Sequence, residues 1–236
     1  MNNQYPKQNI FADSYEKTKA QNAFLSRVYG WMVLALALSG LAAWFSASSP
    51  AMVKLLYGNS FTIFILIIAE LALVFWLSSS IRKISAQTAS IAFIVYSLLN
   101  GITLSSIFLV YTSTSIAQIF IVAALMFGAM SLYGARTKND LTKTGKFLSM
   151  ALIGIIIAIV LNFLLQSTKL EMLISIVTVV VFTGLTAYDT QKLLAISKNA
   201  NDSEPWQKFA IFGALQLYLD FVNLFLALLR LFGRRK

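Results

Sequence analysis

Apolar residues occur in seven long continuous runs that are separated by short polar connections. Each run approaches the roughly 20 apolar residues that a helix needs to cross a membrane. The runs are continuous rather than alternating, which excludes a transmembrane β-barrel. Because the connections are short, we expect one all-α bundle, a polytopic membrane protein with sequential helices as neighbours. The predicted helices cover residues 24–46, 61–79, 88–111, 116–133, 147–165, 172–195 and 209–232.

The composition agrees with a membrane protein. Hydrophobic residues make up 58% of the chain and charged residues 12%, with a mean hydropathy of +0.74. Soluble domains contain about 45–50% apolar and about 25% charged residues. The absence of cysteine excludes disulfides, thiol catalysis and thiolate metal sites. The absence of histidine removes the commonest zinc ligand and the usual switch near neutral pH.

The net charge of +10 reflects membrane topology and not a nucleic-acid partner. Lys and Arg concentrate in residues 1–22 and in the second-to-third, fourth-to-fifth and sixth-to-seventh connections. By the positive-inside rule, the N-terminus is cytoplasmic. Residues 1–22 lack the order of a cleavable signal peptide, so we expect a cytoplasmic tail there and a single domain over 23–236.

The C-terminus does not fit this rule. Seven full spans place the basic residues Arg230, Arg234, Arg235 and Lys236 on the outer side. Either the seventh segment is shielded and crosses in spite of them, or it is re-entrant and returns the tail to the cytoplasm. Both alternatives stay open at this point.

Three acidic residues fall within apolar segments: Glu70, Asp189 and Asp220. A charge at the bilayer centre costs about 2.5–3.5 kcal/mol or more, so each is a candidate functional residue. Asp220 shares one face of the seventh helix with small and polar residues, namely Gly213, Gln216, Asn223, Ala227 and Arg230. The alternative is that this face only binds neighbouring helices together.

Asp189 and Asp220 lie on successive antiparallel helices and meet if both carboxyls are at the same depth. Two buried carboxylates cannot both ionise cheaply, so the pair retains one proton and titrates as a unit. The shared proton ties the sixth helix to the seventh, and its loss produces repulsion. The same oxygens are natural Ca²⁺ ligands, which predicts a combined pH sensor and cation site. The alternative places Asp189 near the headgroups, hydrated or paired with Lys192.

Glu70 lies in the middle of the second helix and has no charged residue one turn away. It could join a cation path or hydrogen-bond Asn100 or Asn162. Asn100 begins a polar and small patch, NGITLSS, that predicts close helix packing and a role in lining a pore. Together with Gln216 and Asn223, these residues form the predicted polar network.

Several of these motifs resemble the transmembrane Bax-inhibitor-motif family, particularly its bacterial inner-membrane members. The resemblance covers the chain from about Arg27 onward and rests on the runs RVYGWM, NGITLSSIF, MFGAMSLYGARTKNDL, TGLTAYDTQK and GALQLYLDFVNLFLALLRLFG. It implies a seven-helix fold in which the last helix is central and wrapped by the other six. It also implies that Asp189 and Asp220 are the family's two latch aspartates. Some members carry an arginine at the end of helix two, where this chain has Trp76–Ser80, so a latch here rests on the carboxylates alone.

The resemblance implies a non-enzymatic, cytoprotective membrane protein: a pH-sensitive leak channel whose transported ion is Ca²⁺, with no cofactor. Some bacterial relatives are linked to membrane proteases, so a regulator that binds such a protease without transport is the main alternative. A proton-coupled exchanger is another. An intramembrane aspartyl protease fits poorly, because Leu217–Leu219 replace the Gly-x-Gly that precedes the second aspartate in those enzymes.

Overall fold

The computed structural model describes residues 7–198 and 203–236, and apart from one isolated bridge the regular structure in that part of the chain is helical. The helices are α1 (Lys7–Ser48), α2 (Pro50–Tyr57), α3 (Ser60–Ser80), α4 (Ala86–Leu104), α5 (Ser106–Val110), α6 (Ser113–Arg136), α7 (Thr142–Leu165), α8 (Thr168–Ser197) and α9 (Glu204–Phe232). Seven spans are long and apolar enough to cross a membrane, with α4 and α5 forming one of them. The predicted all-α fold of seven membrane helices is confirmed, with ends that differ by a few residues.

The first helix is longer than the pattern of apolar residues predicted. Helix α1 begins at Lys7, inside the predicted tail of residues 1–22, whose first six residues lie outside the described part. Residues such as Lys, Gln, Glu and Ala favour helix, so the polar segment continues the apolar one. Its membrane-spanning part begins at Thr18.

A capping serine, a proline and a serine within the third span explain the short helices α2 and α5, which hydropathy alone did not predict. Helix α2 has Pro50 as its first residue, and the hydroxyl of Ser49 accepts a hydrogen bond from Met52 N at 3.4 Å. Ser105 interrupts the third span, and its Oγ lies 2.9 Å from the Tyr57 hydroxyl. This contact fastens the end of α2 to the junction of α4 and α5.

Helix α9 forms the centre of the bundle. Buried residues occur all around it, and Leu217, Tyr218 and Leu224 have no exposed surface. A helix that is buried on every side belongs to a core. Its main neighbours are α1, α4, α6 and α8. Helices α3 and α7 are peripheral and pack mainly on α4 and α8, so the central helix is wrapped chiefly by four helices and not evenly by six.

The C-terminal tail docks at one end of the bundle. Thr112 N donates to Arg234 O at 3.0 Å, and Lys236 N donates to Val110 O at 2.9 Å. Helix α6 runs from this point to Arg136, so the tail and the α6–α7 connection lie at opposite ends. Helix α9 therefore runs from one end of the bundle to the other, which favours a complete crossing over the re-entrant alternative.

Candidate functional site

A cavity of about 570 Å³ lies among α3, α4, α7, α8 and α9. Five of the six residues predicted from the sequence line it, and these are Glu70, Asp189, Gln216, Asp220 and Asn223. The sixth, Asn100, does not line the cavity, but its side chain donates a hydrogen bond to Glu70, which does. We call this space the carboxylate cavity. Helices α3 and α7 pack mainly on α4 and α8, which leaves residues of the central α9 able to line this space.

Asp189 of α8 and Asp220 of α9 face each other across the helix interface. Both side chains are buried, with exposed fractions of 8% and 5%, and both line the carboxylate cavity, with the two carboxyls close enough to share a proton. Asp220 Oδ2 meets no N–H or O–H donor among the described residues. A carboxylate carries no hydrogen of its own, so a hydrogen bond between the two groups requires a proton on one of them.

Asp189 lies well inside α8, away from the end of that helix. It lies eight residues before Ser197, the end of α8, which corresponds to about 12 Å along the helix axis. This burial differs from the hydrated position that was the alternative for Asp189. Lys192 is one turn away, and its ammonium group acts electrostatically on both Asp189 and Asp220.

Glu70 is held by neutral donors from α4. Asn100 Nδ2 donates to Glu70 Oε2 at 2.9 Å, and Thr103 Oγ1 donates to Glu70 Oε1 at 2.5 Å. Asn100 Oδ1 in turn accepts from the Tyr218 hydroxyl at 2.8 Å, and that hydroxyl lies 2.7 Å from Ser39 Oγ. A polar network therefore runs across α3, α4, α9 and α1.

Of the two asparagines considered as partners of Glu70, only Asn100 binds it. Asn162 Oδ1 accepts from Ser167 N at 3.1 Å, in the turn between α7 and α8. That position satisfies a backbone N–H at a helix junction.

The predicted polar face of α9 is divided between two environments. Gln216, Asp220, Asn223 and Arg230 line the cavity together with Leu219 and Leu226. Gly213 instead packs against α8, where a Cβ would lie 2.5 Å from Leu193 Cδ2. Asn223 Nδ2 donates to the Leu219 carbonyl of its own helix at 2.8 Å, which leaves its side-chain oxygen for other partners.

Sequence reasoning placed Thr103 in the NGITLSS patch without assigning it a partner, and it missed the tyrosines of this region. Thr103 and Tyr218 complete the network around Glu70, and Tyr96 and Tyr188 line the cavity. Thr103 lies three residues after Asn100, so helical spacing already placed both on one face. The tyrosines gave no comparable signal, because an aromatic residue in an apolar segment is equally typical of packing.

The comparisons with known proteins agree with this architecture. Residues 21–236 match the family model described as "Inhibitor of apoptosis-promoting Bax1". The inner membrane protein YbhL of Escherichia coli K12 is 51% identical over 215 residues, which cover 90% of this chain and 92% of YbhL. A protein of Borreliella burgdorferi is 43% identical over 92% of this chain and 94% of the relative. Protein YrjE of Lactococcus lactis is 40% identical over 92% and 93%.

The match extends over nearly all of the chain and includes every membrane-spanning helix from within α1 onward. It also includes both aspartates of the carboxylate cavity. The resemblance seen in the sequence motifs is thereby confirmed. The chain is a multi-pass membrane protein and belongs to the Bax inhibitor family.

Proposed function

We propose that this protein is a cation leak channel gated by the carboxyl pair of Asp189 and Asp220. The observation that carries the proposal is the burial of these two carboxyls beside each other in one cavity. A hydrogen bond between them requires a proton on one of the two groups. In a chain without histidine, such a pair is the best available sensor of pH near neutrality. The proposed activity is transport, without catalysis and without a cofactor.

The proton couples the chemistry of the pair to the position of the central helix. While one proton is shared, α8 and α9 are tied together at mid-membrane depth. Its loss leaves two negative charges in a space of low dielectric, where like charges repel strongly. Because α9 packs against four helices, a change at this contact acts on the whole bundle.

Ca²⁺ is the cargo that the lining favours. Hard cations bind oxygen ligands, and the cavity offers the carboxylates of Glu70, Asp189 and Asp220 as well as the amides of Gln216 and Asn223. Within the described part of the chain, no three acidic side chains are close enough to form a metal-binding group. Dispersed ligands of this kind favour passage over tight storage.

The proposed location is the bacterial inner membrane, with the N-terminus in the cytoplasm. Support comes from the likeness to the inner membrane protein YbhL and from the distribution of Lys and Arg among the connections. A regulator that binds a membrane protease is the competing function, and the flux experiment below separates the two.

Asp220→Asn tests the gate. An asparagine amide can donate a hydrogen bond to Asp189 without any bound proton, so the tie between α8 and α9 no longer depends on pH. We expect wild-type Ca²⁺ flux to change with pH in proteoliposomes, and the ratio of the fluxes in mildly acidic and mildly alkaline buffer to fall to about one in the variant. Asp189→Asn should behave in the same way.

Asp140→Asn is the matched control. Asp140 lies in the α6–α7 connection, where hydrogen bonds from Thr142 lower the pKa of its carboxyl below the ordinary value of 3.8. The stabilisation from these bonds is present above that value and is lost only as the pH falls through the lower folded-state pKa. Asp140 does not line the carboxylate cavity, so this variant can change the size of the flux but should keep the wild-type dependence of the flux on pH. Unchanged profiles in both cavity variants would contradict the gate, and no wild-type flux at any pH would favour the regulator.

A further inference from the structure

A second cavity, of about 560 Å³, lies at the end of the bundle that carries the α6–α7 connection. Three lysines and one aspartate line it, namely Lys138, Lys192, Lys198 and Asp140. Gln191 of α8 fixes its wall, because its side chain accepts from Leu141 N at 2.9 Å and donates to Asn139 O at 2.8 Å. We call this polar, basic space the vestibule.

Two side chains, Tyr188 and Lys192, line both the vestibule and the carboxylate cavity. They are four residues apart on α8 and therefore lie on the same face of that helix. Asp189 follows Tyr188 directly and is one turn from Lys192. These two side chains therefore lie at the boundary between the two spaces.

The Tyr188 ring is closely confined by α7. A Cβ added at Gly145 would lie 2.4 Å from Tyr188 Cδ2 and 2.5 Å from Cγ, so the ring rests against the backbone of the facing helix. The absence of a side chain at Gly145 creates this position. The ring therefore fills the space between α7 and α8 at the level of Gly145.

We propose that Tyr188 and Lys192 form the barrier between the vestibule and the carboxylate cavity. Tyr188 blocks the route sterically, and the Lys192 ammonium sets the electrostatic cost for a cation that approaches the carboxyl pair. The proposal rests on the proposed function for the nature of the cargo. The barrier itself governs access, which can be measured without any flux.

The positive charge of Lys192 makes the barrier discriminate between cations and anions. An ammonium group in a narrow, poorly hydrated passage repels cations and attracts anions, and this interaction alters entry rates strongly. Lys192 is the basic residue of α8 that acts on both aspartates. Lys198 lines the vestibule but not the carboxylate cavity, which makes it a matched control.

Thiol labelling tests the barrier directly. The chain contains no cysteine, so Asn223→Cys introduces one thiol into the lining of the carboxylate cavity. Reconstituted protein is exposed, on the side of the α6–α7 connection, to a cationic or an anionic methanethiosulfonate of similar size. The rate of modification is then compared among second-site variants.

We expect Tyr188→Ala to accelerate modification by both reagents about tenfold or more, and Tyr188→Phe to leave both rates unchanged because the ring remains. Lys192→Gln should accelerate the cationic reagent and slow the anionic one. Lys198→Gln, which lies outside the carboxylate cavity, should change the ratio of the two rates much less than Lys192→Gln does. If Tyr188→Ala does not fold, Tyr188→Leu, which also lacks the aromatic ring, takes its place.

Rates within about twofold of the parent in both Tyr188→Ala and Lys192→Gln would overturn the barrier. An equal effect of Lys192→Gln on the two reagents would overturn its electrostatic part. If the labelling rates change as expected but the protein shows no ion flux, the proposed channel function is contradicted and the proposed barrier is still supported. Normal flux with unchanged labelling would contradict the barrier alone.

Discussion

The hydroxyl of Tyr218 shows how a single group connects the central helix to its neighbours. The side chain has no exposed surface, and its hydroxyl lies between Asn100 Oδ1 and Ser39 Oγ at 2.8 and 2.7 Å. Through Asn100 it also fixes the orientation of Glu70. In a low-dielectric interior such a network is stabilising only when its members are satisfied. Tyr218 therefore positions a carboxylate that it does not touch.

Tyr218→Phe should destabilise the protein by about 1–2 kcal/mol, because it leaves Asn100 Oδ1 and Ser39 Oγ with one partner fewer in a buried site. Thermal unfolding in detergent measures the change. Tyr133→Phe is the control, since the Tyr133 side chain on α6 is 49% exposed and lies outside this network. We expect that control to shift stability by less than about 0.5 kcal/mol. Equal shifts in both variants would show that the network contributes nothing.

At the scale of helices, the bundle depends on close approaches that only glycine permits. A Cβ at Gly101 of α4 would lie 2.4 Å from the Ser39 carbonyl oxygen of α1, and a Cβ at Gly134 of α6 would lie 2.1 Å from the Ala187 carbonyl oxygen of α8. The obstacles are backbone atoms, which cannot rotate away. Without a hydrophobic force between helices in lipid, such tight packing supplies much of the association energy.

A pair of glycine substitutions tests this role. Gly101→Ala should destabilise the protein by about 1–3 kcal/mol, because α1 and α4 must separate to admit the methyl group. Gly128→Ala on α6 should be neutral or stabilising by up to about 1 kcal/mol, because a Cβ there meets nothing within 4 Å and alanine favours helix. Unfolding midpoints of the two variants give the comparison, and the opposite order would contradict the packing argument.

At the scale of the whole molecule, the connections between helices lie at two opposite ends of the bundle. Glu204 Oε1 accepts from Ala86 N at 3.1 Å and Lys208 Nζ donates to Ile84 O at 2.9 Å, which joins the start of α9 to the α3–α4 connection. At the other end, the main chain of Arg235 pairs with Tyr111. The basic tail is held there by backbone hydrogen bonds and by the Lys236 ammonium, which donates to Phe108 O at 2.7 Å. The basic tail is therefore docked at the end of the bundle opposite to the α6–α7 connection.

Single cysteines test this topology, since the native chain provides no competing thiol. Asn139→Cys in the α6–α7 connection and Lys236→Cys at the C-terminus should react with a membrane-impermeant reagent from opposite sides of the membrane. We expect the first to label from the cytoplasm and the second from outside, in intact cells and in inverted vesicles. Labelling of both from one side would contradict a complete seventh span.

The number and approximate position of the membrane helices follow from hydropathy, because a segment must be predominantly apolar over about 20 residues to lie in the hydrocarbon of a bilayer. The predicted helix boundaries are less accurate where helix propensity or a proline, rather than hydropathy, decides where a helix begins. Helix α1 extends to Lys7 through polar residues with good helix propensity, and Pro50 begins α2 within a predicted connection. These are local effects that an average over 20 residues does not resolve.

The sequence by itself determined which residues are costly in a membrane: Glu70, Asp189 and Asp220 are identified by their charge within apolar runs, and five of the six predicted site residues line one cavity. Only the tertiary structure decided their partners. Thr103, Tyr218, Tyr188 and Lys192 acquire their roles from helices that are distant in the chain. The physical reason is that insertion into lipid depends on the residues of each segment, whereas hydrogen bonds and closed passages depend on the depth and rotation at which separate helices meet.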